Sequence, residues 1–253
     1  MKPNPGEPFV WDDPAGVLPP RLPLRVWVLA SLAFVAVYLL MWSVVHVHVD
    51  VRPCLLRLPD PLFAVIPHDR RWDLITHDLY EVLTVGSVAV LIYQAVRGDH
   101  RGLVRFGAGL AVQAMLRCAT LMLLPLCRAN LTAGTVALKR VPTLQLGPIE
   151  LPWRVWATND LVFSGHVGEF LLLYWATRNW HPAVRMGLIV FQVLQAYALI
   201  ATRGHYTVDI LLALPCAYFA NGVVTWCLVR LTGVPRVSTL AGFDSVTHRQ
   251  LTR

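Results

Sequence analysis

Two short stretches hold the residues best suited to chemistry: Phe163-Ser164-Gly165-His166 and His205-Tyr206-Thr207-Val208-Asp209. His205 and Asp209 are spaced i, i+4, so on a helix they share one face and can touch. A carboxylate bonded to one imidazole nitrogen fixes the tautomer and raises the basicity of the other. The second nitrogen then becomes a competent nucleophile or general base. His166 is the complementary group, able to protonate a leaving oxygen and later to deprotonate an acceptor. Gly165 allows close backbone approach at a helix start, where N–H groups and Ser164 can bind an anion such as phosphate. Arg203 lies two residues before His205 and can pair with phosphoryl oxygens.

Each motif alone has a plainer reading. A single Ser-Gly-His often marks a polar helix cap, and a single His-x-x-x-Asp is more often a structural pair or half of a metal site. No third ligand stands at helical spacing from His205 and Asp209. The five cysteines show no Cys-x-x-Cys or Cys/His metal pattern. His46-x-His48 resembles a ligand pair and reads as an interfacial cap. Glu169, one turn after His166, keeps two readings: support for the site, or a partner for an arginine.

The elements that must position these groups are membrane spans. Hydrophobic residues make up 56% of the 253 and charged residues only 15%, with a mean hydropathy of +0.53. A soluble globule carries about a quarter charged residues, so most of this surface should face lipid. The net charge of +7 comes from arginines dispersed between apolar segments. That pattern lacks the basic stripe of a nucleic-acid binder and suits juxtamembrane anchoring. Residues 1–24, rich in proline, read as a disordered cytosolic tail, 25–231 as the catalytic membrane domain, and 232–253 as a second cytosolic tail.

A spanning helix needs roughly 20 mostly apolar residues. Six candidates follow: Arg25–Val45, His77–Val96, Leu103–Leu126, Leu161 to just before Arg178, Ala183–Thr202 and Val208–Leu231. The predicted fold is an all-α bundle of six spans with both termini on one side. Twelve Lys and Arg residues fall on the terminal side: Arg97, Arg101, Arg105, Arg178 and Arg185 in short turns, and Lys2, Arg21, Arg25, Arg230, Arg236, Arg249 and Arg253 towards the two ends. Nine fall on the other side, over longer loops. The positive-inside rule then makes the termini cytosolic. The His166 and His205 motifs emerge together on the non-cytosolic rim (periplasm or exterior for a bacterial chain). Leu58-Pro59-Asp60 lies on the same side. Arg117 falls inside the third span, and an intramembrane arginine needs an anionic partner or a wet cavity. Asp160 or a lipid phosphate would serve. Gln113, one turn earlier, shares its face.

The order Ser-Gly-His, then Arg-x-His-Tyr-Thr-x-Asp, resembles the sphingomyelin synthase family within the type 2 phosphatidic acid phosphatase superfamily. Leu58-Pro59-Asp60 resembles the family's element after the first span, and Arg117 with Leu124-Pro125 its third-span motif. Residues 160–166 and 205–210 resemble its two catalytic motifs. The likeness extends over roughly residues 25–230. The chain departs from it at Thr158-Asn159-Asp160, where the family usually shows Cys-Gly-Asp, and at Val167, where it shows Thr. It also lacks the Lys-x6-Arg-Pro element of the broader phosphatases.

The resemblance implies transfer of a phospho-headgroup, phosphocholine or a relative, from a glycerophospholipid to ceramide or a similar alcohol, diacylglycerol included. No metal or other cofactor takes part. It implies His205 as nucleophile through a phosphohistidine, His166 as acid and base, and Asp209 as the group orienting His205. Ser164, Gly165, Arg203, Arg117, Asp160, Asp60 and Tyr206 become substrate-binding candidates. The alternative is a lipid phosphate phosphatase or phospholipase C-type hydrolase using the same residues, with water as acceptor. A non-catalytic lipid transporter or scaffold is the third class.

Overall fold

The computed structural model describes residues 18–44, 55–56, 58–124, 126, 143–146, 149–152 and 163–233. Seven α-helices appear among them: α1 Leu24–Val44, the single turn α2 Leu62–Val65, α3 Tyr80–Val96, α4 Arg101–Leu123, α5 Gly165–Ala176, α6 Pro182–Ala201 and α7 Thr207–Thr232. A 3₁₀ turn at Arg70–Trp72 and a π-helical segment at Leu74–Leu79 lead into α3. Five stretches are long and apolar enough to cross a membrane: Leu24–Met41, Arg70–Val96, Arg101–Leu123, Pro182–Ala201 and Thr207–Thr232. Their exposed faces are lined with Leu, Val, Ile and aromatic side chains, as a lipid-facing surface requires.

Contacts between helices give an up-and-down bundle around α4. Val26 of α1 packs with Val104 of α4, and Met41 with Cys118 and Leu121, so these helices run the same way. Helix α5 runs against α4. A Cβ added at Gly102 would sit 2.8 Å from the Ala176 carbonyl oxygen, and one at Gly109 would be 2.9 Å from the Leu172 side chain. The glycines on α4 therefore let α5 approach closely. Helix α6 packs Leu188 and Phe191 against Phe170 and Leu173, and its other end, Leu199 and Ile200, against Phe163 and Val167. Helix α7 returns with Ile210 and Ala213 at the Phe163 end and Val224 and Leu228 beside Val26 and Val104.

The fourth predicted span differs from expectation. Helix α5 has 12 residues, about 18 Å at helical rise, against a hydrocarbon core of about 30 Å. Its start is set by Ser164, whose extended backbone and side-chain oxygen cap the helix by accepting the Val167 N–H at 3.4 Å. Helix α4 continues six residues beyond Arg117 to Leu123, about 9 Å. The level where α5 begins is thus recessed below the end of α4.

Two further differences concern the loops. Within the long connection before α5, which an all-α reading leaves without strands, β1 Thr143–Leu146 pairs antiparallel with β2 Ile149–Pro152. At the other end of the bundle, part of the segment assigned to the tail is packed. Leu18 and Leu22 are buried with Val26, Val104, Val224 and Leu228, and the His100 N–H donates to the Pro20 carbonyl at 2.9 Å.

Candidate active site

The turn between α6 and α7 builds one half of the site. After Ala201 the chain reverses through Arg203, at φ 58 the one non-glycine residue with positive φ among the described residues. The Gly204 N–H closes the turn on the Leu199 carbonyl at 2.9 Å. A left-handed conformation is costly for a branched-off side chain and persists where the surroundings over-determine it. Here the Arg203 guanidinium donates to the carbonyls of Ile200 at 3.0 Å and of Phe63 and Ile66 at 2.8 Å each. It also lies 4.2 Å from the Phe63 ring centre. Arg203 therefore ties α2 to the α6–α7 turn.

Two residues on, His205 Nδ1 stands 3.5 Å from Asp209 Oδ2; the spacing brings the pair together, but His205 precedes the extended N-cap Tyr206 rather than lying on the helix as expected. Asp209 is fully buried, and the same Oδ2 accepts the Tyr206 N–H at 2.9 Å. A carboxylate placed this way caps the first turn of α7 and faces the imidazole at once. Tyr206 itself points into the core. It is 1% exposed, packs with Met41, Cys118 and Leu121, and stacks on Phe63 at 5.7 Å.

The start of α5 is the other half. The Ser164 N–H donates to the Asp209 carbonyl at 2.9 Å, which pins the first turn of α5 to the first turn of α7. His166 follows, and its ring centre lies 5.7 Å from that of His205, edge to face. That spacing is one of edge-to-face ring contact, so the two imidazoles are direct neighbours. Helix α4 supplies the cation. A Cβ built at Gly165 would collide with the Arg117 guanidinium, and one at Gly168 with the Gln113 amide. Only glycine lets the arginine reach the α5 N-terminus so closely. Arg117 Cζ also lies 5.9 Å from the Phe163 ring centre.

Asp60 enters from the segment before α2. Its Oδ1 accepts the Thr207 hydroxyl at 2.8 Å and the Leu62 N–H at 2.9 Å, and its Oδ2 accepts the Thr207 N–H. Asp60 thus caps the beginnings of α2 and α7 together. Asp160 lies outside the described residues. Among the sequence candidates, the fold gathers His166, His205, Asp209, Ser164, Gly165 and Arg117 at one level. It commits the Asp60 oxygens and Arg203 donors just named to backbone and Thr207 partners beside that level.

Tyr80 is a neighbour that local spacing did not reveal. Its ring centre is 4.6 Å from that of His166, and its hydroxyl donates to Glu169 Oε2. Phe170 flanks it at 5.5 Å. Among the described residues no group of three or more His, Cys, Asp or Glu side chains is arranged to hold a metal ion.

A comparison with curated proteins finds no match to the chain. Residues 158–227 match the family model described as PAP2 superfamily C-terminal. That stretch contains His166, His205 and Asp209, so the part of the chain that carries both histidine motifs is similar to the C-terminal region of the PAP2 superfamily, and it lies in a bundle with five helices long and apolar enough to cross a membrane.

Proposed function

We propose that the protein is a lipid phospho-headgroup transferase of the sphingomyelin synthase kind. It would move phosphocholine or a related headgroup from a glycerophospholipid to ceramide or a ceramide-like alcohol. The observation that carries this reading is the facing of His166 and His205 across 5.7 Å, with Asp209 behind one ring and Arg117 against the α5 N-terminus. In the first half-reaction Nε2 of His205, the ring nitrogen turned away from Asp209, attacks the donor phosphorus. The bond from phosphorus to the diacylglycerol oxygen breaks, and the departing oxygen takes a proton from the His166 imidazolium. Asp209 holds the His205 ring and stabilises the positive charge that develops on it.

In the second half-reaction the acceptor hydroxyl gives its proton to neutral His166 and attacks phosphohistidine. The P–N bond breaks, and both histidines return to their starting states. Arg117 and the N-terminal turn of α5 stabilise the charge on the equatorial phosphoryl oxygens. Ser164 and Gly165 shape that anion site. Asp60, Arg203 and Tyr206 act as positioning residues around it, and Asp160 is a candidate partner for Arg117. Both termini are cytosolic in this reading, and the site opens to the opposite leaflet.

The superfamily match also supports a hydrolytic reading, in which water rather than a lipid alcohol attacks phosphohistidine. One assay separates the two. Purified protein in mixed vesicles receives labelled ceramide and donors carrying choline, ethanolamine, inositol or glycerol headgroups, and products are identified by mass spectrometry. Transfer predicts a new headgroup-ceramide and little release without acceptor. Free phosphate or phosphocholine in the absence of ceramide would favour the hydrolase, and no ceramide product from any donor would defeat the transferase.

A further inference from the structure

Glu169 is an ionisable residue on a helix packed within a membrane bundle, where a carboxylate is costly and normally serves a purpose. It stands three residues after His166 on α5, so the two side chains project from the same helical face. Tyr80, from α3, bridges them. Its hydroxyl donates to Glu169 Oε2 while its ring packs 4.6 Å from the His166 ring, centre to centre. The phenol is itself fixed, buried against Phe170 at 5.5 Å, with Phe170 held in turn by Phe191 at 4.9 Å. Each histidine is therefore followed closely by a carboxylate that accepts a hydrogen bond, Glu169 on the same helix as His166 and Asp209 in the first turn of α7, just after His205. For Asp209 the donor is the Tyr206 N–H.

We propose that Glu169, oriented by the Tyr80 hydroxyl, is the positioning residue that keeps His166 in its protonated, acid-competent form. The proposal rests on the reading of His166 as the acid and base of the transfer reaction. The charged and titratable groups around His166 come from every neighbouring element. Tyr80 faces it from α3, Arg117 from α4, His205 and Asp209 from the α6–α7 turn and α7, and Glu169 from α5 itself; Asp60 lies farther off on Thr207. The Arg117 guanidinium beside Gly165 disfavours a second positive charge on the next residue. Glu169 opposes that repulsion, so an imidazolium can form where phosphate binding also demands an arginine.

The test is the pH–rate profile of headgroup transfer in phosphatidylcholine vesicles containing labelled ceramide and the other three donors. Glu169→Gln should lower kcat by about tenfold or more, leave KM within twofold, and move the alkaline limb of the profile to lower pH. Glu169→Asp should recover part of the rate. Tyr80→Phe keeps the ring on His166 and removes the hydroxyl, so it should give a smaller shift in the same direction, and it carries the test if the Glu169 variants do not fold. Adding Glu169→Gln to His166→Ala should cost nothing more. A Glu169→Gln or Tyr80→Phe enzyme with wild-type kcat and pH profile overturns the inference alone. A wild-type protein that forms no transfer product overturns the proposed function, and this inference with it.

Discussion

Ser164 and Asp209 are joined main chain to main chain, the Ser164 N–H donating to the Asp209 carbonyl at 2.9 Å. This bond links the first turns of two helices that begin at Gly165 and Thr207; His166 lies in the first turn of α5 and His205 two residues before α7. The separation of His166 and His205 is therefore fixed by backbone, and side-chain substitutions near the site should change chemistry before they change its geometry.

Removal of the nucleophile is the most direct check of the reaction. His205→Ala should abolish transfer and leave no acid-labile, base-stable phosphoenzyme after a quench with headgroup-labelled donor. Asp209→Asn should retain the fold and lose about 10²–10⁴-fold in kcat. A labelled His205→Ala protein would refute the assignment.

Gly165→Ala tests the close approach of Arg117. The added methyl occupies the guanidinium position, and overpacking of this kind costs about 1–3 kcal/mol. Activity should fall at least as far as in Arg117→Ala, and the double variant should be no worse than either. Independent, multiplying losses would show that the contact does not matter.

Arg203 separates clamp from ligand. Its guanidinium donates to three carbonyls, and losing hydrogen bonds to a charged group costs about 1.5–3 kcal/mol each where they are not replaced. Arg203→Ala and Arg203→Lys should both lower the thermal midpoint in detergent. A variant with unchanged midpoint and a raised KM for donor would instead make Arg203 a phosphate ligand.

Acid sensitivity should reside partly in the α3–α4 turn. The Arg101 side chain, bonded to Asp99 at 2.8 Å through each carboxylate oxygen, holds the Asp99 carboxyl below its usual range, against a smaller opposing effect of burial. A depressed value in the folded state stabilises the protein fully above the unfolded carboxylate value of about 3.9. That contribution disappears as pH falls through the folded value. Asp99→Asn should therefore destabilise at neutral pH and flatten the loss of thermal stability below about pH 4. Parallel melting curves for both proteins across that window would contradict the assignment.

What could be read ahead of the fold depended on range. The His205–Asp209 contact was legible because the two residues are only four apart, although it is made from the segment before the Tyr206 cap and not across one helical face. The meeting of His166 with His205 needed only the alternation of span directions. The length of α5 was not legible, because an apolar run extends through Phe163 while the helix stops at a hydrogen bond to Asp209. Arg203 read as a phosphate ligand since its carbonyl partners, Phe63 and Ile66, stand 140 and 137 residues away. Tyr80, near a span end, had the profile of an interface anchor. Its contact with Glu169 bridges 89 positions, and no local pattern encodes that.

The shortness of α5 also bears on how such an enzyme would meet its substrates. In the proposed reaction, a catalytic level about 9 Å below the end of α4 would be reached from the acyl chains rather than from the aqueous phase. Both lipids would arrive by lateral diffusion, and diacylglycerol would leave the same way. The concentration that saturates the enzyme is then a mole fraction in the leaflet. Diluting the donor with inert lipid should slow turnover, whereas diluting the vesicles in buffer should not.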